Sequence, residues 1–413
     1  MHRTTITIEA ADGGSFSGYL SVPLSGSGPG LILLPEIFGI NEHIREIADV
    51  YADEGYVVLA PDLFWRIKPG VELGYSDEEV KTALSYYSRF DIDRAIRDIG
   101  DALRVLRADR RCTARIGALG FGLGGTLAYL SAARLPLDAA VSYYGVDMEQ
   151  NLAESKSIRC PIALHFAAED QLAPAAVREA VRQAVAGQDD AEIYVYRGAD
   201  HAFNNRHRES YHAPSASLAY GRTISLLRRA IGPRYPLEAL WEKHLEGEFV
   251  TCDPEATMRT MVPRPYVNHV PTMIGGLGRE QLYRYYKYHF IPQNQGSKLI
   301  PVSRTIGANT LVDEFVACFK HDHENDTILP GVKPTGKTLR IPMVAIVQFR
   351  GDKLCSERLY WDQAAVLAQV GLLDTSQLPV TGAEAADAVL DQEVALNTLR
   401  ADQWWKKSES KNC

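Results

Sequence analysis

The chain has 413 residues, 46% hydrophobic and 23% charged, with a formal net charge of −8 at pH 7. That length predicts two domains rather than one core, and the acidic balance excludes a general nucleic-acid surface, which needs clustered Lys and Arg to displace counterions from phosphates. No apolar run reaches the roughly twenty residues that span a bilayer, and "MHRTTITIEAADGG" lacks the apolar core of a signal peptide, so a cytoplasmic protein with no membrane partner is expected. Its six cysteines (Cys112, Cys160, Cys252, Cys318, Cys355, Cys413) have no C-x-x-C or paired spacing, which reads as reduced thiols rather than zinc ligands or a disulfide framework.

From the start to about Ile231, apolar strands alternate with amphipathic helices. "GPGLILLPEIFG" is a buried-strand run ending in a turn, and "NEHIREIADVYADEG" follows with Ile44, Ile47, Ala48 and Tyr51 at helical spacing and a glycine stop. The strand "YVVLAPD", the helix "DIDRAIRDIGDALRVLRA", the strand "ARIGALGF" and the helix "GGTLAYLSAARL" come next, then strand-like "DAAVSYYG", "PIALHFA" and "EIYVYRG". This alternation predicts an α/β domain, residues 1–232, with a mostly parallel, doubly wound sheet covered on both faces.

Gly232, Pro233 and Pro236 mark a linker. Beyond it, "LEALWEKHLEGEF" and "REQLYRYYKYHF" read as helices, followed by long strands in "TLVDEFVACFKHD", "LRIPMVAIVQFRGD" and "KLCSERLYWD", the last pair turning at "RGDK". Helices followed by antiparallel strands predict an α+β domain over residues 237–374, a curved sheet around a helix pair, with a helical extension and polar tail over residues 375–413.

In "GALGFGLGGTLAYL", Gly120, Gly122 and Gly125 spell G-x-G-x-x-G, and Asp147 stands where a dinucleotide-binding unit carries its ribose acid. Two strand–helix units precede this turn, whereas a dinucleotide domain usually opens with it, so no cofactor is expected. The competing reading is the strand-to-helix elbow of α/β-hydrolases, in which the central residue of G-x-nucleophile-x-G sits on a sharp turn. An acid and then a histidine should follow at later strand ends. Asp170 follows "PIALHFA" and His201 follows "EIYVYRG".

The blocks "LLPEIFGINEHIREIADVYADEGYVVLAPDLFWR", "GALGFGLGGTLAYL" and "YRGADHAF", with Asp170, make about the first 230 residues resemble the dienelactone hydrolase (carboxymethylenebutenolidase) family. The resemblance implies hydrolysis of a small ester or lactone. It assigns a cysteine nucleophile to the position of Gly122, the base to His201, the orienting acid to Asp170, and a glutamate that holds the resting thiol to Glu36. The backbone N–H groups of Ile37 and Leu123 would form the oxyanion hole. The family's arginine after the histidine has no clear counterpart, because Asn204 and Asn205 precede Arg206.

Glycine has no atom to attack a carbonyl, and Cys112 is no substitute, since it precedes the strand at the end opposite the elbow. Three accounts of Gly122 stay open: an introduced inactivating change, a natural loss that leaves a ligand-binding protein, or a site in which His201 and Asp170 activate water near Glu36.

In the second domain "GVKPTGKT" (331–338) satisfies G-x-x-x-x-G-K-[ST]. A phosphate loop must follow a buried strand and open a helix; here Pro330 precedes it and a strand pattern follows, so Lys337 reads as a solvated loop residue. "WEKHLEGEF", "TMIGGLGREQLYRYY", "LPGVKPTGK" and "ERLYWDQAAVLAQVGLLD" make this domain similar to the SnoaL-like branch of the NTF2-like cone fold. That resemblance implies cyclase or isomerase chemistry, or a binding or dimerisation role, with a homodimer formed through this domain. It places Asp362 at the acid/base position of SnoaL cyclases. His321 and His323, in "KHDHE", are expected to alternate on a strand and face one side; with no third ligand evident, no metal is expected there.

Overall fold

The first unit of the chain, Met1–Arg234, is organised by strands whose side chains are buried on both faces. In this computed structural model, which describes residues 1–399, it holds β1 (His2–Glu9), β2 (Ser15–Val22), β3 (Gly28–Leu34), β4 (Val57–Pro61), β5 (Cys112–Phe121), β6 (Ala139–Tyr143), β7 (Ile162–Ala167) and β8 (Ala191–Tyr196). Their order is β1-β2-β4-β3-β5-β6-β7-β8. β1, β2 and β4 pair antiparallel, and every pair from β4–β3 to β7–β8 is parallel. β3, β4, β6 and β7 are buried along their whole length, as a parallel sheet covered on two faces requires. The hairpin β1–β2 goes beyond the strands expected from periodicity.

Six helices cover this sheet: α1 (Glu42–Asp53), α2 (Asp77–Tyr87), α3 (Ile92–Ala108), α4 (Leu123–Arg134), α5 (Ala175–Val185) and α6 (Ala213–Ala230). α1 starts where the Asn41 side chain accepts the Ile44 N–H, and α3 where Asp91 accepts that of Arg94. α3 buries Ile96, Ile99, Leu103 and Leu106 along one face, each contributing about 1.5–3 kcal/mol. α2 was not among the expected helices; its sequence signal is the capping box between Ser76 and Glu79.

The second unit, Tyr235–Cys413, begins just after the Gly232–Pro233 pair. The tail "KKSESKNC", with Cys413, lies outside the described residues. Its helices are α7 (Leu237–Leu245), continued by a π-helical turn at Glu246–Val250, α8 (Pro254–Arg259), α9 (Arg279–Tyr285), continued by a π turn at Tyr286–Phe290, α10 (Ile291–Gln293), α11 (Gln363–Val370) and α12 (Glu384–Leu390). The sheet contains β9 (Met261–His269), β10 (Ile274–Leu277), β11 (Lys298–Ile306), β12 (Thr310–Lys320), β13 (Thr338–Arg350) and β14 (Lys353–Tyr360), in the order β10-β9-β14-β13-β12-β11. Only β14 and β9 run parallel.

β13 alternates buried and half-buried residues along its length, so one face of the sheet carries the core, where Trp241, Tyr286, Val347 and Phe349 are almost fully buried. β13 and β14 turn between Arg350 and Lys353, the "RGDK" hairpin. The stretch 331–337 is a loop that feeds straight into β13, so no helix N-terminus stands there to hold a phosphate.

Candidate active site

Parallel strands of one sheet deliver their carboxyl ends to one edge, and five of them supply the site. β5 ends at Phe121, and Gly122 then turns the chain with φ +54° and ψ −117° into α4. L side chains rarely adopt this conformation, and such strain gathers at functional sites; Tyr144, after β6, also has a positive φ, of 39°. The neighbouring glycines are steric: a Cβ on Gly120 would lie 1.8 Å from Gly124 O, and one on Gly124 2.1 Å from Leu34 O. In the G-x-G-x-x-G spacing Gly120 and Gly125 are steric in this way, a Cβ on Gly125 lying 2.6 Å from Tyr143 O.

Gly122 differs from them in having room for a Cβ at ordinary contact distances. A Cβ built on it would have His201 Nε2 at 3.7 Å and Glu36 Cγ at 3.8 Å as its nearest neighbours. The fold thus brings Gly122, His201 and Glu36 together, with no side chain at Gly122.

His201 lies in the loop after β8, and its Nδ1 is 2.9 Å from Oδ2 of Asp170, in the loop after β7. The Asp170 side chain is fully buried and its Oδ1 accepts the Leu172 N–H at 2.8 Å. Burial opposes ionisation of Asp170, but the hydrogen bond and charge of His201 and the N–H groups of Leu172 and Ala173 outweigh it, holding the carboxyl below its ordinary value. An ionised Asp170 fixes the proton of His201 on Nδ1 and leaves Nε2 as the basic atom facing Gly122. The ring of Tyr144 packs edge-on against His201 at 4.8 Å, and its hydroxyl bonds Asn204 Oδ1.

Glu36 follows β3 and is 4% exposed. Burial raises its pKa, an effect only partly offset by His201, Arg208 and the amide of Asn205. Asn205 Nδ2 donates to Glu36 Oε2 at 3.3 Å and to Tyr75 Oη at 2.7 Å, and Asn41 Nδ2 donates to the same Oη at 3.0 Å. Two amides thus occupy the lone pairs of Tyr75 and leave its O–H proton free to donate; burial pushes this phenol up to about 12, so it stays protonated.

Arg208 is the cation beside these groups: its guanidinium lies 5.6 Å from the Tyr75 ring and 6.0 Å from that of Phe38. Arg206 is exposed and sits over Tyr211. Arg208, and not Arg206, is thus the arginine that stands beside Tyr75 and Glu36. Tyr75, Asn41, Asn205 and Arg208 were not expected at the site. A tyrosine immediately before a capping box was the one local signal for the first; the others become visible only when the strand ends meet.

Ile37 N–H has no backbone acceptor among the described residues, and Leu123 is the first residue of α4, where the N–H has no intrahelical partner. Both are free to serve an oxyanion.

The residues singled out in the second unit do not form a site together. Asp362 is the N-cap of α11, its Oδ1 accepting the N–H groups of Ala364 and Ala365 at 2.8 and 3.2 Å, which gives it a structural role. β12 ends at Lys320, so His321 and His323 lie in the following loop and not alternately on a strand. His321 bonds Thr335, whereas His323 bonds Asp322 and the Gln293 carbonyl. The dense local bonding of "KHDHE" with the 331–337 loop ends the strand early.

A nucleophile elbow followed in chain order by an acid and a histidine, on a largely parallel sheet, defines the first unit as an α/β-hydrolase. The model of the "Dienelactone hydrolase family" matches residues 16–231. A carboxymethylenebutenolidase homologue from Azospirillum brasilense is 38% identical over 232 residues, covering 55% of this chain and 100% of that one. The carboxymethylenebutenolidase of Pseudomonas putida is 31% identical over 223 residues, covering 54% and 94%. Among solved structures, a dienelactone hydrolase homologue from Klebsiella pneumoniae has 29% identity and a TM-score of 0.48, covering 55% of this chain and 100% of that one. The chain belongs to the dienelactone hydrolase family. Among the described residues no helix is long and apolar enough to cross a membrane.

Proposed function

We propose that the first unit is a site for a small carboxylic ester or lactone whose covalent route is closed by Gly122, leaving substrate binding and slow attack by water. The observation that carries this reading is the empty direction of the Gly122 Cβ, 3.7 Å from His201 Nε2. The substrate carbonyl oxygen points at the N–H groups of Ile37 and Leu123. His201 Nε2 takes a proton from a water molecule, the hydroxide adds to the carbonyl carbon, and the two N–H groups hold the oxyanion. On collapse His201 returns the proton to the leaving alkoxide, with Asp170 stabilising the imidazolium in between. Arg208 supplies positive charge beside Tyr75 and suits a substrate that also carries a carboxylate.

The second unit is proposed to be an NTF2-like cone that joins two copies of the chain, a frame supported by its long antiparallel strands folded over α7 and α9. The test of the catalytic reading sets the protein against Gly122→Cys on activated esters and small lactones. Fast turnover by the cysteine form beside slow, His201-dependent turnover by the parent protein supports it. Equal rates from both would move the chemistry elsewhere, and His201→Ala in each background then shows whether the elbow takes part.

A further inference from the structure

The second unit brings three buried donor atoms to one point. His244 on α7 and Glu248 on the π turn that continues it are four residues apart, with His244 Nε2 3.1 Å from Glu248 Oε1. Glu357 arrives from β14, with Oε2 3.9 Å from the same nitrogen. The three side chains are 0%, 3% and 6% exposed. π turns recur at functional sites because the extra residue re-aims side chains, and this one carries Glu248.

The tautomer of His244 is fixed by its other nitrogen. Thr260 Oγ1 donates to the Thr257 carbonyl at 2.6 Å, so its one proton is used and it accepts from His244 Nδ1–H at 2.6 Å. Nε2 is therefore the ring atom that faces the two carboxylates, and a neutral ring turns three acceptors toward one another. Tyr286 Oη, 3.4 Å from Nε2, supplies at most one proton to the group. The Glu357 carboxyl accepts no hydrogen bond among the described residues and is aimed into a cavity walled by Phe249, Phe290, Phe315 and Met343. A buried carboxyl left in that state is costly unless something else meets it.

We propose that His244 Nε2, Glu248 and Glu357 bind one divalent cation of borderline character, Zn²⁺, Mn²⁺, Fe²⁺ or Co²⁺, with its remaining coordination positions open to the apolar cavity. A cation about 2.1 Å from each donor separates the donors by roughly 3–4 Å; His244 Nε2 already lies 3.1 and 3.9 Å from the two carboxylates, and all three donors lie within 4.8 Å of one another. One imidazole and two carboxylates suit these ions. The Thr260 hydroxyl gives His244 the outer hydrogen bond that metal-bound histidines characteristically make, and two negative carboxylates neutralise the ion. This site is independent of the elbow in the first unit.

Among the described residues a second cluster, His43, Glu46 and His207, has the spacing for a cation. Glu46 and His207 are exposed and already bond one another at 2.8 Å, so it serves as the control. The competing state of the buried cluster holds two protons instead of a cation: an imidazolium paired with Glu248, and a neutral Glu357, whose carboxyl is pushed up to about 8 by burial and then by Glu248.

The full chain, treated with EDTA and desalted, is titrated with Co²⁺, reading the visible absorption of the bound ion and, after a second desalting, cobalt per chain by elemental analysis. The expected result is one tightly held Co²⁺ per chain, weakened at least about 100-fold in Glu357→Gln and in Glu248→Gln and unchanged in Glu46→Gln. Circular dichroism without cobalt confirms that each variant is folded; should Glu357→Gln fail to fold, Glu248→Gln gives the same reading. No retained cobalt, equal retention by the folded variants, or loss in Glu46→Gln would overturn the proposal and leave the two-proton state.

Discussion

The two units carry their polar groups in opposite conditions. In the first, Asp170, His201, Glu36, Asn205 and Tyr75 are each held by at least one hydrogen bond to a neighbour, and what is missing is a single side chain at Gly122. In the second, the His244 cluster has every side chain in place, yet its two carboxylates and a ring nitrogen turn toward one another with few donors. A site at the open edge of a parallel sheet is organised by strand ends and loops, so it keeps its geometry when one member is lost. A cluster buried inside a core has few donors to complete it, and polar groups left unmet there are costly.

The sharpest test of that contrast is Gly122→Cys. Because the remaining groups are pre-arranged, the substitution is expected to raise kcat/KM on an activated ester by roughly 10⁴-fold. His201→Ala in the same background should remove most of that gain. A cysteine variant that is folded but no faster would show that the conformation at Gly122 aims Sγ away from His201, and the two units would then differ less than they seem to.

The next largest effect concerns the second unit alone. Trp241 is 1% exposed and its Nε1 donates to Asp313 Oδ2 at 2.8 Å. Trp241→Ala removes the largest buried side chain of that core and one hydrogen bond to Asp313, whose carboxylate stays paired with Arg304, with an expected loss of about 3–5 kcal/mol. Differential scanning calorimetry should show one unfolding transition moved down, while the esterase activity of the Gly122→Cys form is unaffected. A parallel loss of that activity would mean that the units do not unfold independently.

How far the sequence spoke also differs between the units, for physical reasons. In the first, parallel strands buried on both faces leave continuous apolar runs, and glycines forced by close backbone approach mark the elbow, so the fold and the positions of Gly122, Asp170, His201 and Glu36 were legible. Tyr75 and Arg208 were not, since they reach the site from loops whose path depends on tertiary packing. In the second, helix and strand periods were visible, but the letter at Asp362 serves as an N-cap and as an acid alike, so its role was not legible. The His244 and Glu248 pair reads in sequence as one face of an amphipathic helix. Only the arrival of Glu357, from a strand more than a hundred positions away, distinguishes it from a solvated face.

A smaller effect separates the two units by pH. Burial raises the Glu36 pKa above 4.5, so the folded state holds that proton more tightly than the unfolded chain does. Its contribution to stability is present in full below pH 4.5 and is lost as pH rises through the folded value. Glu36→Gln cannot ionise and keeps an oxygen for Asn205. Melting curves at pH 4.5, 6 and 8 should therefore show the variant gaining on the parent protein as pH rises, in the first unit's transition only. A constant difference across that range would mean that Arg208 and His201 compensate the buried charge fully.

The smallest expected change falls on Asp362, where two roles predict different outcomes for the same pair of variants. As the cap of α11 it accepts two backbone N–H groups, a task asparagine performs nearly as well and alanine does not. Asp362→Ala should destabilise the second unit by about 1 kcal/mol, and Asp362→Asn by much less. An acid/base residue would level the two in activity, because asparagine keeps the shape but removes the proton transfer just as alanine does. Thermal unfolding of the two variants, set beside their cobalt binding, separates these cases. Unequal melting with equal cobalt affinity leaves Asp362 as a cap, and leaves the chemistry of that unit to the buried cluster between α7 and β14.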